Sequence, residues 1–425
     1  MTIPSPAPDP REPGRLRALA ADVRALPREA WVVFAGTFIN RFGSFVLTFL
    51  ILILVRRGFT PAQAGLAASM YGVGGIGAAM VGGHLADRIG RRRTIALSMF
   101  SSAAAMLALW RAGPLPEVAA VTALAGFCAE MYRPAAAALL ADVTPRGRRV
   151  GTYALYRLFI NVGFALGPAT MGFFAQRSIG VVFVGDAVTS VLYGLLVLFL
   201  IPRRVDQGVA MDGDADAPRG PSALRLIARD GAMVAFLVAM TMMSVVHTQD
   251  MASVPLELGA RGFTTAQYGV LISLNGFLCV LLELPVAAVT ARMVAWIPLS
   301  AGAILIGLGI AATGVAHGVP AYVVTVLLWT LGEVIAFPVA HAFVADLAPK
   351  GLQGRYQASL GFTQAMAFVI APAAGAALFG WSRPALWAAC AVLGVAAALT
   401  FSAVGRARRV RTVGEEMAAA EIAAE

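Results

Sequence analysis

Arg41, Glu130, Arg133 and Glu333 are charged residues deep within long apolar stretches of this sequence. A charge in apolar surroundings is costly, so such residues usually have a function. Glu130 and Arg133 are three residues apart, which places both side chains on one face of a helix. A buried carboxylate can take up and release a proton, because burial disfavours its charged form. The pattern predicts Glu130 and Glu333 as proton carriers, with Arg41 or Arg133 as a counter-charge. A static ion pair that only fixes helix packing is the alternative.

Four other side chains in these stretches are candidates for contact with a bound small molecule. Asn40 is an amide directly before a buried charge, and Met243 belongs to a cluster of methionines, whose flexible thioethers suit lipophilic ligands. His247 and His341 can change charge near neutral pH. A histidine inside a helical bundle can equally serve only as a hydrogen-bonding spacer, and this alternative stays open.

Other charged residues are expected close to the ends of the apolar stretches. Arg157 is long enough to extend its guanidinium group to the membrane surface. Asp186 and Asp250 are expected in water near the extracellular side, and Glu283 near the cytoplasmic side. These four residues are therefore predicted to lie at the membrane surfaces.

The elements that carry these residues are predicted to be membrane-spanning helices. Apolar residues make up 59% of the 425 residues and charged residues only 13%, whereas a soluble domain carries about 25% charged residues. The sequence contains twelve apolar segments near the length of about 20 residues that a bilayer requires. They are 31–55, 63–85, 94–112, 117–140, 151–176, 181–201, 231–256, 265–289, 296–316, 320–344, 355–379 and 384–404. The predicted fold class is an all-α polytopic membrane protein.

The distribution of basic residues predicts the orientation of the chain. If the N-terminus is cytoplasmic, 24 of the 33 Lys and Arg residues lie on the cytoplasmic side and six on the other. This asymmetry places both termini in the cytoplasm and the chain in the cell inner (plasma) membrane. The net charge of +10 is then a topology signal toward anionic lipid, and no nucleic-acid partner is expected. The three cysteines lie in apolar segments without metal-binding spacing, so no metal is expected.

A repeat with a shift of 204 residues divides the chain into two similar halves. The heptad ADVTPRG at 141–147 returns as ADLAPKG at 345–351, and Gly-Phe-Thr at 58–60 returns at 262–264. Two six-helix bundles with the same orientation, related by a pseudo-two-fold axis, can rock around a shared cavity and expose it to each side in turn. The predicted organisation is a cytoplasmic N-terminal segment 1–30, a first bundle 31–201, a cytoplasmic linker 202–230, a second bundle 231–404 and a cytoplasmic tail 405–425.

The stretch GGHLADRIGRR at 82–92 resembles the loop between helices 2 and 3 of the major facilitator superfamily, whose pattern is G-x-x-x-D-R-x-G-R-R. The matching residues are Gly83, Asp87, Arg88, Gly90, Arg91 and Arg92. The resemblance implies twelve helices and a charge lock between helices of the two halves that stabilises the outward-open state. The second half retains Arg292 at the equivalent loop but has Ala291 in place of the aspartate.

The fifth apolar segment contains Gly163-x-x-x-Gly167-Pro168-x-x-x-Gly172. It is similar to the helix 5 signature of the drug:proton antiporter branch of the same superfamily. Glycines permit close helix contact, and Pro168 removes a backbone hydrogen bond and favours a bend that could act as a gate. A purely structural kink is the other interpretation. The resemblance implies export.

Together these features predict a secondary transporter that couples proton entry to the export of amphipathic small molecules. We expect a lipophilic substrate, membrane lipids and protons as partners, a monomer, and no cofactor beyond the proton gradient. An importer or symporter for a metabolite remains open on the same fold, and a membrane-embedded enzyme is a remote alternative. The sequence lacks the G-x-x-x-x-G-K-[ST] motif of ATP-driven pumps.

Overall fold

The structure, a computed structural model, describes residues 26–145, 149–203, 227–290, 292–347 and 353–422. Most of the predicted N-terminal segment and linker, the end of the tail and parts of both repeated heptads lie outside the described residues. The described residues form helices and turns and no strand. The helices of the first half are α1 Arg28–Gly43, α2 Val46–Arg56, α3 Pro61–Ile89, α4 Arg91–Arg111, α5 Leu115–Glu130, α6 Tyr132–Val143, α7 Arg149–Arg177 and α8 Gly180–Leu200. Those of the second half are α9 Gly231–His247, α10 Gln249–Ala252, α11 Val254–Ala260, α12 Thr265–Thr290, α13 Trp296–Ala312, α14 Gly318–Leu347, α15 Gln353–Trp381 and α16 Arg383–Ile422.

All twelve predicted segments coincide with helices. Nine helical stretches of the described residues are long and apolar enough to cross a bilayer, and the bent helix α3, which turns by 42°, makes a tenth. α13 is a shorter apolar helix, and the predicted fourth segment is divided between α5 and α6. The structure therefore confirms the all-α membrane fold, and a count of twelve spans is consistent with it.

The repeat seen in the sequence is also present in the local geometry. α1 ends at Gly43 and α9 ends at His247, 204 residues later, so the first and seventh segments are broken at matching positions. α3 begins with a capping box in which the Thr60 N–H donates to the Gln63 side chain at 2.9 Å. Thr264 and Gln267 form the same contact at 2.8 Å before α12. The same N-cap contact at positions 204 residues apart indicates that the two halves repeat one arrangement of helices.

Two interfaces between the halves follow the same plan. We call them the α3/α15 seam and the α7/α12 seam, after the helices that form them. In the first, the Ser69 hydroxyl accepts a hydrogen bond from the Ala373 N–H, and in the second the Ser273 hydroxyl accepts one from the Ala169 N–H, both at 2.9 Å. The shift between these contacts is again 204 residues for donor and acceptor alike. The halves are therefore joined by a pseudo-symmetric pair of seams.

The α3/α15 seam is close only along part of its length. A Cβ atom at Gly65 would lie 2.1 Å from the Pro372 carbonyl oxygen, and one at Gly72 would lie 2.8 Å from the backbone of Phe368. At Gly83 a Cβ atom would meet nothing within 4 Å. We call the end of the bundle that carries Gly90 and the 82–92 loop the motif end, and the opposite one the far end. The seam is therefore in close backbone contact at Gly65 and Gly72 but not at Gly83.

Candidate functional site

In the first half, Glu130 is the last residue of α5 and belongs to a small charged cluster. Arg133, one turn further on α6, places its Nε atom 2.6 Å from Glu130 Oε2. The Tyr71 hydroxyl on α3 donates to Glu130 Oε1 at 3.4 Å. The predicted pairing of Glu130 with Arg133 is thus present, and Tyr71 is a partner that the sequence did not indicate.

Arg41 takes a different partner. Its guanidinium donates to the Tyr132 hydroxyl at 3.2 Å, so its direct contact is a phenol from α6. Tyr132 is fully buried next to Tyr193, with which it makes an edge-to-face ring contact. Arg41 therefore bonds a phenol of α6, and the ion pairs among the described residues join Glu130 to Arg133 instead.

In the second half, Glu333 on α14 accepts contacts from two helices. The His247 Nε2 atom lies 3.2 Å from Glu333 Oε2, and the Asn275 amide on α12 donates to the same oxygen at 2.9 Å. Asn275 also donates to the Thr330 hydroxyl at 3.0 Å. The Phe337 ring stands edge-on to the His247 ring, with centroids 5.4 Å apart. Two residues predicted separately, His247 and Glu333, are therefore a direct pair.

The glutamate clusters of the two halves correspond. Tyr71 and Asn275 are 204 residues apart, and each donates a hydrogen bond to the glutamate of its own half. The repeat contained a signal for both residues, because they directly precede the matched glycines Gly72 and Gly276. Each half thus presents one partly buried carboxylate held by the same position of a neighbouring helix.

The expectation that Asp186 and Asp250 lie in water is wrong. Asp186 is 2% exposed and Asp250 is 3% exposed. Asp186 Oδ1 accepts from the Ser44 hydroxyl at 3.2 Å and from the Ser190 hydroxyl at 3.4 Å. The break between α1 and α2 exposes Ser44 toward α8, and this provides polar partners that an unbroken helix would not offer. Asn40 is also buried there and donates to Ser190 at 3.1 Å.

The remaining ligand candidates lie apart from the two glutamate clusters. Met243 has no exposed surface and belongs to the hydrophobic core, because α9 turns this side toward its neighbours. His341 is exposed near the motif end, where its ring nitrogen contacts the Gln357 side chain at 3.0 Å. The structure therefore brings His247, but neither Met243 nor His341, to Glu333.

The loop motif makes its charge contact within one half. Arg91 forms an ion pair with Asp142 at the end of α6, and Arg92 donates to the Leu198 carbonyl oxygen on α8. Asp87 and Arg88 are exposed, and Gly90 has the positive φ of 96° that joins α3 to α4. Among the described residues Arg91 therefore makes its charge contact within the first half, and the implied lock between the halves stays a prediction.

The glycine motif of α7 lies against α1 and α12. A Cβ atom at Gly163 would be 2.8 Å from the Arg41 side chain, and one at Gly167 would be 1.8 Å from the Phe45 ring. A Cβ atom at Gly172 would be 2.6 Å from the Thr265 carbonyl oxygen. Pro168 lies inside the helix. The glycines therefore permit the close contact that the motif predicts.

A cavity of about 90 Å³ adjoins the His247–Glu333 pair. It lies among α9, α10, α14 and α15 of the second half, and the Phe368 backbone on its wall also packs against Gly72 of the first half. The cavity therefore borders the interface between the halves. Its lining residues are Ser244, His247, Thr248, Asp250, Met251, Phe337, Gln364 and Phe368.

Comparison with known proteins places the chain among transporters. The family model described as Major Facilitator Superfamily matches residues 33–372 and again residues 250–423. An uncharacterised MFS-type transporter of Bacillus subtilis, YqjV, is 27% identical over 363 residues, which cover 84% of this chain and 88% of that protein. A Na(+), Li(+), K(+)/H(+) antiporter of Planococcus maritimus is 26% identical over 346 residues, which cover 74% of this chain and 81% of that protein.

Two further likenesses are more limited. The quinolone resistance protein NorA of Staphylococcus aureus is 27% identical over 154 residues, 36% of this chain and 39% of that protein. The crystal structure of the nucleoside transporter NupG has a TM-score of 0.76 with 14% identity, covering 88% of this chain and 98% of that one. At this identity the likeness to NupG concerns the fold alone.

Proposed function

The chain belongs to the major facilitator superfamily and is a multi-pass membrane transporter, and we propose that it exports amphipathic small molecules in exchange for protons. The proposed orientation places the motif end and both termini in the cytoplasm, following the excess of basic residues there. The bundle then opens and closes toward either side as the two halves rock about their seams.

The observation that carries this proposal is the matched pair of carboxylate clusters. Glu130 and Glu333 lie at a shift of 203 residues, are only partly buried, and each has a neutral donor from the neighbouring helix. The charged partners of the two glutamates differ, since Glu130 pairs with Arg133 and Glu333 pairs with His247. Arginine keeps its charge at all relevant pH values, whereas histidine can lose it.

This difference assigns the roles. The His247–Glu333 pair can accept or release one proton because histidine is able to lose its charge, and the net charge of the pair changes when it does so. Glu130 remains tied to a permanent cation and serves mainly to fix the first half around the shared space. One relative is named an antiporter, which supports exchange, and another is named a quinolone resistance protein, which supports a drug-like substrate.

Everted membrane vesicles provide the test. A proton gradient imposed inside them is expected to drive ethidium accumulation by the wild-type protein. Glu333→Gln is expected to lower the gradient-driven rate by at least about tenfold, because the coupling residue no longer ionises. Glu130→Gln is expected to keep a higher gradient-driven rate than Glu333→Gln, because Glu130 is not the proposed proton carrier. Glu117→Gln, at an exposed far-end carboxylate that accepts from the Gly113 N–H, is the matched control and is expected to transport as wild type.

Full gradient-driven accumulation in Glu333→Gln would remove this residue as the proton carrier. Accumulation that needs the opposite gradient would favour an importer. A second candidate, exchange of alkali cations for protons, is favoured by the antiporter relative, which aligns over most of the chain. In the same vesicles that activity would collapse the proton gradient on addition of NaCl or KCl without any dye.

A further inference from the structure

A groove of about 490 Å³ lies at the far end of the second half, away from the cavity beside His247. Its volume is within the range of about 300–1,000 Å³ that is typical of sites for small molecules. The groove lies between α13 and α16, and neither glutamate cluster contributes a residue to it. Its lining includes Glu257, Arg261, Ala311, Gly314, Arg383 and Ala388.

The charges that line this groove leave one positive charge in excess. Arg261 is already bound, because its Nε atom lies 2.6 Å from Glu257 and its other nitrogens donate to backbone carbonyl oxygens beyond α13. Arg383 is exposed, with its guanidinium 4.9 Å from the centre of the Phe379 ring, and no carboxylate pairs with it among the described residues. A guanidinium group can donate two parallel hydrogen bonds to the oxygens of a phosphate. The groove therefore suits an anionic phosphate group at Arg383.

The opening of the groove is at the level where lipid head groups lie. Trp381 ends α15, two residues before Arg383, and it is 79% exposed. Tryptophan side chains in such positions are enriched at the boundary between membrane and water. Val315, which lines the groove, is also largely exposed. A lipid can therefore reach the groove directly from the membrane.

The surface next to the groove is apolar in the direction of the membrane interior. α13 and α16 are in backbone contact where a Cβ atom at Gly307 would lie 2.8 Å from the Gly394 Cα atom. Exposed apolar side chains of the same two helices, Leu308, Val392 and Val395, follow from the groove toward the motif end. A positive site that continues into an apolar surface matches a lipid, with its charged head and acyl chains, better than a water-soluble anion.

The equivalent place in the first half is filled. Three small lining residues are replaced 204 positions earlier by larger ones, Leu107, Trp110 and Val184. The Trp110 ring lies against the start of α8, since a Cβ atom at Gly180 would be 2.7 Å from it. Ile179 stands at the position that corresponds to Arg383. The first half therefore has an indole ring and an isoleucine where the second half has space and a positive charge.

We propose that this groove binds an anionic phospholipid from the leaflet at the far end, with its phosphate at Arg383 and its acyl chains along α13 and α16. In the proposed orientation this is the outer leaflet. The inference does not depend on the substrate, on the direction of transport or on proton coupling. It assigns a lipid site to one half of a molecule whose halves otherwise repeat one another.

Native mass spectrometry of the purified full-length protein provides the test. The protein in a non-ionic detergent is titrated with dioleoylphosphatidylglycerol and, separately, with dioleoylphosphatidylcholine, whose head group has no net charge. The first bound lipid is expected to have at least about tenfold higher affinity when it is phosphatidylglycerol, the equivalent of one charged contact. Glycerol 3-phosphate has a similar charge without acyl chains, and at equal concentration it is expected not to displace phosphatidylglycerol.

Two variants test the location. Arg383→Gln is expected to lower the affinity for phosphatidylglycerol by at least about tenfold. Ala388→Trp retains the charge but fills the groove, and it is expected to do the same. The matched control for the first is Arg177→Gln, at an exposed arginine that lies over the Phe173 ring at 5.1 Å and does not line the groove. Val184→Trp, at the corresponding position of the first half, is the control for the second. Both controls are expected to bind as wild type.

Three results would overturn the inference. They are equal affinities for the two lipids, unchanged affinity for phosphatidylglycerol in Arg383→Gln or Ala388→Trp, and displacement of the lipid by glycerol 3-phosphate. The melting temperature of each variant in detergent shows whether it is folded, and because both positions are exposed, either variant can serve alone. The proposed exchange of protons would stand in each case, because it does not use this groove.

Discussion

Arg157 on α7 forms an ion pair with Glu283 on α12, and this contact crosses from one half of the molecule to the other. Asn161, one turn along α7, donates to the same carboxylate at 3.1 Å. The equivalent positions in the other seam are Gly361 and Ala79, which are exposed and carry no charge. Among the described residues the two seams are therefore alike toward the far end but differ at these positions, where the α7/α12 seam has a charge contact and the α3/α15 seam has none.

Glu283→Gln is expected to shift the conformational equilibrium more visibly than it changes stability. Arg157 is about half exposed, so solvent screens the pair, and a double-mutant cycle with Arg157→Ala should give a coupling energy of about 0.5–1 kcal/mol. Even 1 kcal/mol changes a two-state ratio about fivefold. Spin labels at Gly151→Cys and Val289→Cys measure the distance between α7 and α12 across the seam. Both positions are exposed and lie at the motif end of the bundle.

The labelled Glu283→Gln protein should show a larger fraction of long distances than the labelled wild type. Glu117→Gln, at an exposed carboxylate near the start of α5, a helix that forms neither seam, is the control and should leave the distribution unchanged. Identical distributions in all three proteins would mean that the pair does not hold the seam.

Gly269→Ala is expected to destabilise the α7/α12 seam. A Cβ atom at this position would lie 2.2 Å from the Pro168 carbonyl oxygen, which belongs to the backbone and cannot rotate away. Overpacking of this kind costs about 1–3 kcal/mol. Gly65→Ala, the equivalent change in the other seam, should cost a similar amount. Gly151→Ala, where a Cβ atom meets nothing within 4 Å, should be neutral or stabilising by up to about 1 kcal/mol. Thermal unfolding in detergent gives the comparison, and equal melting temperatures for all three variants would contradict it.

Asp186→Ala is expected to lower stability by about 1–3 kcal/mol, because it leaves one buried and one partly buried hydroxyl group without their acceptor. Ser44 and Ser190 are the two donors, and Ser44 lies at the break between α1 and α2. Asp186→Asn keeps an oxygen at the same place and should cost clearly less. Unfolding in detergent measures both variants, and an equal loss in the two would show that charge, not hydrogen bonding, stabilises the break.

The architecture could be predicted because it depends on features that repeat along the chain. Apolar length specifies the spans, and the 204-residue shift specifies two copies. The matched residues of the repeat proved to be contact residues: Ser69 and Ser273 accept equivalent hydrogen bonds, and Gly65 and Gly269 lie against equivalent proline carbonyls. A residue that must be small, or must accept a bond from a neighbouring helix, keeps its type in both copies, and a repeat comparison can therefore find it.

The polar partners could not be predicted, because they depend on where helices break and which faces meet. Asp186 was expected in water from its position near the end of a span, but the break at Ser44 provides it with partners inside the bundle. His247 and Glu333 are 86 residues apart and have no common sequence pattern, so only packing shows that they form a pair. For the same reason the ion pair between Arg91 and Asp142 within the first half could not be predicted from the motif alone.

Two arginines at the far end occupy equivalent places in the halves and provide an internal comparison. Arg57 donates to the carbonyl oxygens of Trp110 and Ala112 at the end of α4, at 2.9 and 3.4 Å. Arg261, 204 residues later, donates to the carbonyl oxygens of Gly314 and Ala316 beyond α13. Each guanidinium thus caps the carboxyl end of a helix, where a positive charge is favourable.

Only the second of these caps has a carboxylate. Glu257 is 1% exposed, lies 2.6 Å from Arg261 Nε and accepts a bond from the Trp387 ring at 3.4 Å. In the first half, Phe183 occupies the position of Trp387, and Arg57 lies over its ring at 5.7 Å. Loss of Arg261 would therefore leave a buried charge, whereas loss of Arg57 would leave only carbonyl groups and a ring.

Arg261→Ala is accordingly expected to cost about 3–5 kcal/mol, the range for breaking a buried ion pair by removing one partner. Arg57→Ala should cost only about 1 kcal/mol, as for neutral hydrogen bonds. The double variant Arg261→Ala with Glu257→Gln should recover part of the loss, because the remaining group is uncharged. Melting temperatures of the three proteins in one detergent make the test. If Arg57→Ala and Arg261→Ala melt together, or if Glu257→Gln brings no recovery, the buried charge is not what separates the two caps.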